Sequence, residues 1–184
     1  MAAHSLNFRL ATKEDAIPLE RLINTAFRDD RTTQVFLSAD HASVDVTSVS
    51  AVEAKIAQPD CAVLVGTGPD GAPLTHCSVR KVGDTGAWFG MLAVDVGAQR
   101  RGLGSQVLAY AEQYARREWG STRMEMDVVS TREELIAWYS KRGYQATGET
   151  TPFPYDHHGN WKGVLRDDLH FILLGKNIGQ DSPS

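Results

Sequence analysis

Apolar residues recur along this chain in two rhythms, and the change from one to the other marks its elements. Leu19, Leu22, Ile23, Ala26 and Phe27 follow the three-and-four spacing of one helix face. Thr12, three residues before Asp15, comes close to a capping box, and Pro18, tolerated only in a first turn, sets the helix start near Asp15. Ser5 to Leu10 ahead of it reads as a strand, and Phe27 to Thr33 as a polar break with clustered charges. Residues 44 to 58 predict a second helix with Val52 and Ile56 on one face, weakened by β-branched residues. Strand patterns follow: Cys61 to Thr67, a Gly68-Pro-Asp-Gly71 turn, Leu74 to Val82, a Gly83-Asp-Thr-Gly86 turn, and Ala87 to Val94. The helical rhythm returns at Leu103, Val107, Ala111, Tyr114 and Ala115, running to about Trp119 and closed by Gly120.

Arg123 to Val129 then alternates, with Met124, Met126 and Val128 on one side and Glu125 and Asp127 on the other. The helix before it implies that this strand runs parallel to the one ending at Val94. A helix over Glu133 to Arg142 stops at Gly143, and Gln145 to Glu149 is a strand. Thr150 to Leu165, holding Pro152, Pro154, His157, His158 and Gly159, reads as a long loop, and Asp168 to Gly175 as the last strand. With no repeat and no linker, the expectation is one domain over 1–184, its core at about 5–175 and a tail over 176–184.

The join between the strand at Val94 and the helix at Leu103 carries the chemistry. Gly102 and Gly104 allow close main-chain approach to a ligand, and the leading N–H groups of the helix have no partners within it. The helix dipole favours an anion there, and Arg100 and Arg101 add positive charge. A P-loop would need Lys-Ser/Thr after the last glycine, where this chain has Ser105-Gln106. A dinucleotide fingerprint would need Gly or Ala at the position of Val107. The pattern present is Gln99-Arg-Arg-Gly102-Leu-Gly104.

That pattern, preceded by Leu92-Ala-Val-Asp95, resembles the pyrophosphate loop of the GNAT superfamily of acyl-CoA-dependent N-acyltransferases. A second run, Glu134-Leu-Ile-Ala-Trp-Tyr139-Ser-Lys-Arg-Gly-Tyr144, resembles the family's helix bearing a tyrosine before a Gly-aromatic turn. The ordered match covers Leu92 to Gly148. The resemblance implies an α/β fold with a mixed, mostly antiparallel central sheet flanked by helices, and parallel strands splayed at the acyl-CoA site. It also implies a donor site made by the main chain of Leu92, Ala93 and Val94 and by the loop Gln99, Arg100, Arg101, Gly102, Leu103, Gly104 and Ser105. Tyr139 takes the place of the family's general acid beside the thioester sulfur.

Composition narrows the partners. A net charge of −4 and a pI of about 5.8 leave no basic face for a nucleic-acid backbone. No run approaches the about 20 apolar residues that a membrane span needs. The opening Met-Ala-Ala-His-Ser lacks the basic and apolar regions of a secretion signal, so the expected place is the cytoplasm, with Cys61 and Cys77 as reduced thiols. No metal is expected: His157, His158 and Asp156 lack further ligands at usable spacing, and no cysteine has the surroundings of a nucleophile.

Acetyl transfer to an amine by direct attack in a ternary complex is therefore the expected activity. Acetyl-CoA is the donor and a primary amine the acceptor, a small molecule in preference to a protein, in a monomer or homodimer. The family often carries a glutamate before the phosphate loop, where this chain has Trp88-Phe89-Gly90-Met91. Glu125 and Asp127 are the candidate bases, His76 is a further one, and a water relay is a fourth route. An ion pair with Arg123 or Arg80 is the competing role for the two carboxylates. The family often has Asn seven residues before its tyrosine, and this chain has Arg132. Trp161 and Phe153 are candidates for lining an acceptor pocket or for anchoring the long loop. The alternative activities are a non-catalytic CoA-binding module and other acyl-CoA chemistry, such as O-acylation.

Overall fold

Strand β2, Cys61–Thr67, is buried on both faces, and the sheet is built outward from it. Successive side chains of a strand point to opposite faces. Ala62 and Leu64 accordingly enter one apolar cluster, while Val63 and Val65 enter another. The computed structural model describes residues 6–28, 46–99, 101–155 and 167–179. Among them, seven strands form one sheet: β1 Asn7–Leu10, β2, β3 Pro73–Val82, β4 Gly86–Val94, β5 Arg123–Val129, β6 Gln145–Pro152 and β7 His170–Asn177. Their order is β1-β2-β3-β4-β5-β7-β6, and only the β4–β5 pair is parallel.

Helices α1 (Ala16–Arg28) and α2 (Val49–Ile56) cover one face, where Leu19, Leu22, Ile23, Ala26 and Val52 meet Val63, Val65 and Ala93. On the other face, α3 (Leu103–Trp119) and α4 (Glu133–Ser140) pack Leu103, Val107, Leu108, Ala111, Ala115 and Tyr139 onto Leu64, Val79, Phe89, Met124 and Met126. This is the mixed, mostly antiparallel sheet flanked by helices that the family resemblance implies.

Two terminal details differ from the sequence reading. Strand β6 continues through Thr150 to Pro152, which the sequence assigns to a loop. It lies at the sheet edge with its residues largely exposed, so no apolar alternation marks it, and a proline costs little there. Strand β7 continues to Asn177 and Ile178 is buried, so ordered packing passes the expected core end at residue 175. Residues 156–166, with His157, His158 and Trp161, lie outside the described residues, as do residues 29–45. Phe153 is buried, stacked on Phe171 at 5.4 Å and clustered with Val129 and Leu169. It anchors this end of the sheet.

Candidate active site

Strands β4 and β5 begin as neighbours and then separate. Their pairing covers Gly86↔Arg123 to Trp88↔Glu125, yet β4 continues to Val94 and β5 to Val129. The cause lies on the other side of β4. From His76↔Ala93 to Ser78↔Gly90, β3 advances two residues while β4 advances three, so β4 carries one extra residue. That bulge contains Met91 at φ 54°, the one non-glycine residue with positive φ among those described. His76 Nδ1 lies 2.8 Å from the Met91 carbonyl oxygen, which can only accept, so Nδ1 carries the hydrogen.

Leu92, Ala93 and Val94 follow the bulge along the separated stretch. After Asp95 a short 3-10 turn, Val96–Ala98, leads into the glycine loop, and Gln99 Nε2 donates to the Val94 carbonyl at 3.4 Å. Gly102 adopts φ 76°, a left-handed conformation that favours glycine, and its carbonyl accepts from the N–H groups of Ser105 and Gln106. Helix α3 starts at Leu103, so the N–H groups of Leu103 and Gly104 lead it. A Cβ at Gly104 would sit 3.5 Å from the Trp138 ring, which places the loop directly against α4. Arg101 is exposed, and Arg100 lies outside the described residues.

Sequence reasoning left Arg142 without a role. Its guanidinium lies 3.7 Å from the Trp138 ring centre, donates to the Trp138 carbonyl at 2.7 Å and to Ser105 Oγ at 2.6 Å. The 138-to-142 spacing, one helical turn, was the available signal.

Tyr139 stands on α4 against Phe89, the first β4 residue beyond the β5 pairing. It is buried, with its ring edge-on to Phe89 of β4 at 6.5 Å, and it also contacts Trp138 and Tyr144. Burial pushes its phenol well above the ordinary value, so it is protonated at neutral pH. Among the described residues its hydroxyl has no hydrogen-bond partner.

The candidate bases lie on the opposite sheet face, because Met124, Met126 and Val128 alternate with them into the α3 side. Glu125 Oε1 accepts from Arg123 Nε at 2.6 Å, and Asp127 Oδ2 accepts from Trp88 Nε1 at 3.3 Å. The Trp88 ring fills the space that a Cβ at Gly90 would need, and Arg80 lies over it at 5.7 Å. His76 stands on this same face, fully buried, and burial pulls its pKa down to about 4. Among the described residues, no group of three or more His, Cys, Asp or Glu gathers to hold a metal, and no helix is long and apolar enough to cross a membrane.

The β4–β5 split and the glycine turn into α3 sit in a mixed α/β sheet flanked by helices. The model of the acetyltransferase (GNAT) family matches residues 21–144, from α1 to Tyr144, and the chain belongs to that family. No curated protein matches it. Solved structures with the same fold include paia N-acetyltransferase from Thermoplasma acidophilum in complex with coenzyme A. Its TM-score is 0.70 at 13% identity, over 94% of this chain and 99% of that one. The ribosomal-protein-S18-alanine N-acetyltransferase from Escherichia coli has a TM-score of 0.68 at 15% identity, over 98% of both chains. The yncA protein from Salmonella typhimurium, solved with acetyl-CoA, has a TM-score of 0.64 at 18% identity, again over 98% of both. At such identities the likeness establishes the fold.

Proposed function

We propose that this protein transfers the acetyl group of acetyl-CoA to the primary amine of a small molecule, by direct attack in a ternary complex. The observation that carries this reading is the split between β4 and β5, bordered by the glycine loop at one end and by Tyr139 from α4. The loop from Gln99 to Ser105 would hold the diphosphate through the leading N–H groups of α3. Main-chain groups of Leu92, Ala93 and Val94, left without β5 pairing, would hold the pantetheine arm and the thioester carbonyl. A donor aimed at the developing oxyanion contributes a few kcal/mol.

The amine nitrogen attacks the thioester carbonyl carbon, the C–S bond breaks, and Tyr139 protonates the departing sulfur. A phenol kept protonated by burial suits that task, since positioned acids typically contribute ~10²–10⁴-fold. The amine proton goes to a base on the opposite face of the sheet. His76, Glu125 and Asp127 stand on that face, the two carboxylates held by Arg123 and by Trp88. The whole chain acts as one domain in the cytoplasm, without nucleic acid, membrane or metal, as a monomer or homodimer.

Thermal unfolding with acetyl-CoA, CoA, ATP and NAD tests the donor. A ligand at about 100 times its Kd adds roughly 2.7 kcal/mol. A higher Tm with the two CoA species alone, followed by amine-dependent release of free CoA thiol, supports the reading. No shift with either CoA species overturns it. Binding without turnover on any amine favours a CoA-binding module.

A further inference from the structure

Between α1, α2 and the sheet lies a cavity of about 310 Å³, at the small end of the range for small-molecule sites. Its walls are largely apolar: Ile23 from α1, Val52 from α2, Val63 from β2 and Met91 from the bulge. Thr47 and two titratable groups break that character. His76 lines it from β3, and Lys55 lines it from α2. Among the described residues Lys55 has no carboxylate partner, although its charge is felt at His76. With Nδ1–H committed to the Met91 carbonyl, the neutral ring has its lone pair on Nε2, which has no partner among the described residues.

One wall of the cavity adjoins the stretch Leu92 to Val94 in sequence. Met91 is both a wall residue and the strained position of the bulge that separates β4 from β5, and Ala93, the next residue but one, pairs with His76. A nitrogen lone pair and an uncompensated ammonium on one small apolar cavity match a molecule with a proton to lose and a negative charge to place.

Resting on the acetyl-transfer reading, we propose that this cavity receives the acceptor, that His76 Nε2 takes the amine proton as the N–C bond forms, and that Lys55 pairs with a carboxylate of the same molecule. The acceptor class is then the free amino acids and related amino carboxylates. The balance is complete: His76 gains the proton the nitrogen loses, Tyr139 supplies the proton the sulfur gains, and both exchange with water after product leaves. The acceptor attacks as the free amine, its ammonium proton having gone to water, and a weak base then suffices because a nitrogen that has formed its fourth bond to the carbonyl carbon is far more acidic than a free ammonium. Substrate binding also helps, since a carboxylate at Lys55 offsets the charge that, after burial, depresses the histidine. Of the other walls, α1 presents Ile23, β2 presents Val63 and β4 presents Met91, none of them titratable.

The test uses the full chain, acetyl-CoA, a panel of free L-amino acids and the matching decarboxylated amines. His76→Asn keeps a donor near the Met91 carbonyl and removes the basic ring nitrogen. Its kcat is expected to fall about 100-fold while the Tm increase with acetyl-CoA persists. Lys55→Gln is expected to reduce the kcat/KM preference for amino acids over decarboxylated amines about tenfold. A parent enzyme that acetylates the decarboxylated amines as well as the amino acids overturns the substrate class. Parental kcat in His76→Asn, or a loss of kcat confined to Glu125→Gln or Asp127→Asn, overturns the assignment of the base. Failure of the acetyl-transfer reading looks different, as the parent itself then shows no Tm shift with acetyl-CoA.

Discussion

Arg142 grips Ser105 with two donors, Nη2 at 2.6 Å and Nε at 3.2 Å, and so ties the end of α4 to the first turn of α3. The Trp138 ring under the guanidinium holds the fork flat, and the Trp138 carbonyl takes a third N–H. One side chain thereby couples the tyrosine helix to the glycine loop and leaves a positive charge beside that loop.

Arg142→Ala should therefore weaken CoA binding. Charge-assisted hydrogen bonds contribute roughly 1.5–3 kcal/mol, which corresponds to about a 10- to 100-fold rise in Kd by titration calorimetry. Arg142→Lys should recover only part of this, because an ammonium cannot make the flat two-donor contact. An unchanged Kd in Arg142→Ala would show that the contact only braces the fold.

Tyr139→Phe keeps the ring against Phe89 and Tyr144 and removes the acidic hydrogen. The expected result is a kcat about 100-fold lower with little change in Kd for acetyl-CoA. Steady-state rates between pH 6 and 9 check it, and parental rates across that range would remove Tyr139 from the proton path.

Glu112 of α3 joins two other elements. It accepts from Tyr144 Oη at 3.0 Å and from Lys176 Nζ of β7 at 2.8 and 2.9 Å. Glu112→Ala strands both donors in a mostly buried place and should cost about 3 kcal/mol in urea unfolding. Adding Lys176→Met should restore part of the loss by removing the orphaned ammonium. Additive losses in the double variant would contradict this coupling.

Asp15 fixes β1 to the start of α1, accepting from Arg9 Nη1 at 2.6 Å, Arg9 Nη2 at 2.8 Å and the Thr12 N–H at 2.7 Å. The Arg9 hydrogen bonds, foremost, hold its pKa below the ordinary carboxylate value. Its contribution is thus complete above the unfolded value of about 3.9 and is lost as pH falls through the lower folded value. Asp15→Asn should destabilise by about 1 kcal/mol at neutral pH. The gap between parent and variant should close as denaturation is measured at progressively lower pH below 4, and a gap that persists there would contradict the assignment.

Much of the fold was legible because local patterns report burial directly. The bounds of α3 and β5 agree residue for residue with the alternation and spacing in the chain, and Gly120 at φ 63° ends α3 where the sequence ends it. Strand β6 was only partly legible, since an exposed edge strand needs no apolar face. Its neighbour is also not its predecessor: β7 inserts between β5 and β6, a choice made by pairing across the chain.

Side-chain spacing determined the glycine loop, the tyrosine helix and the order of the elements, because helix and strand periods and left-handed glycines are local properties. The bulge at Met91 was decided elsewhere. It arises from how β3 and β4 align, and Gly90 within Phe89-Gly-Met-Leu92 hints at a bulge without setting that register. The same holds for His76: its neutral ring and oriented Nδ1–H depend on the Met91 carbonyl and on burial under α1 and α2. Local sequence sets which backbone shapes are available, whereas register, burial and the pairing of distant polar atoms exist only once the sheet and helices have closed on one another.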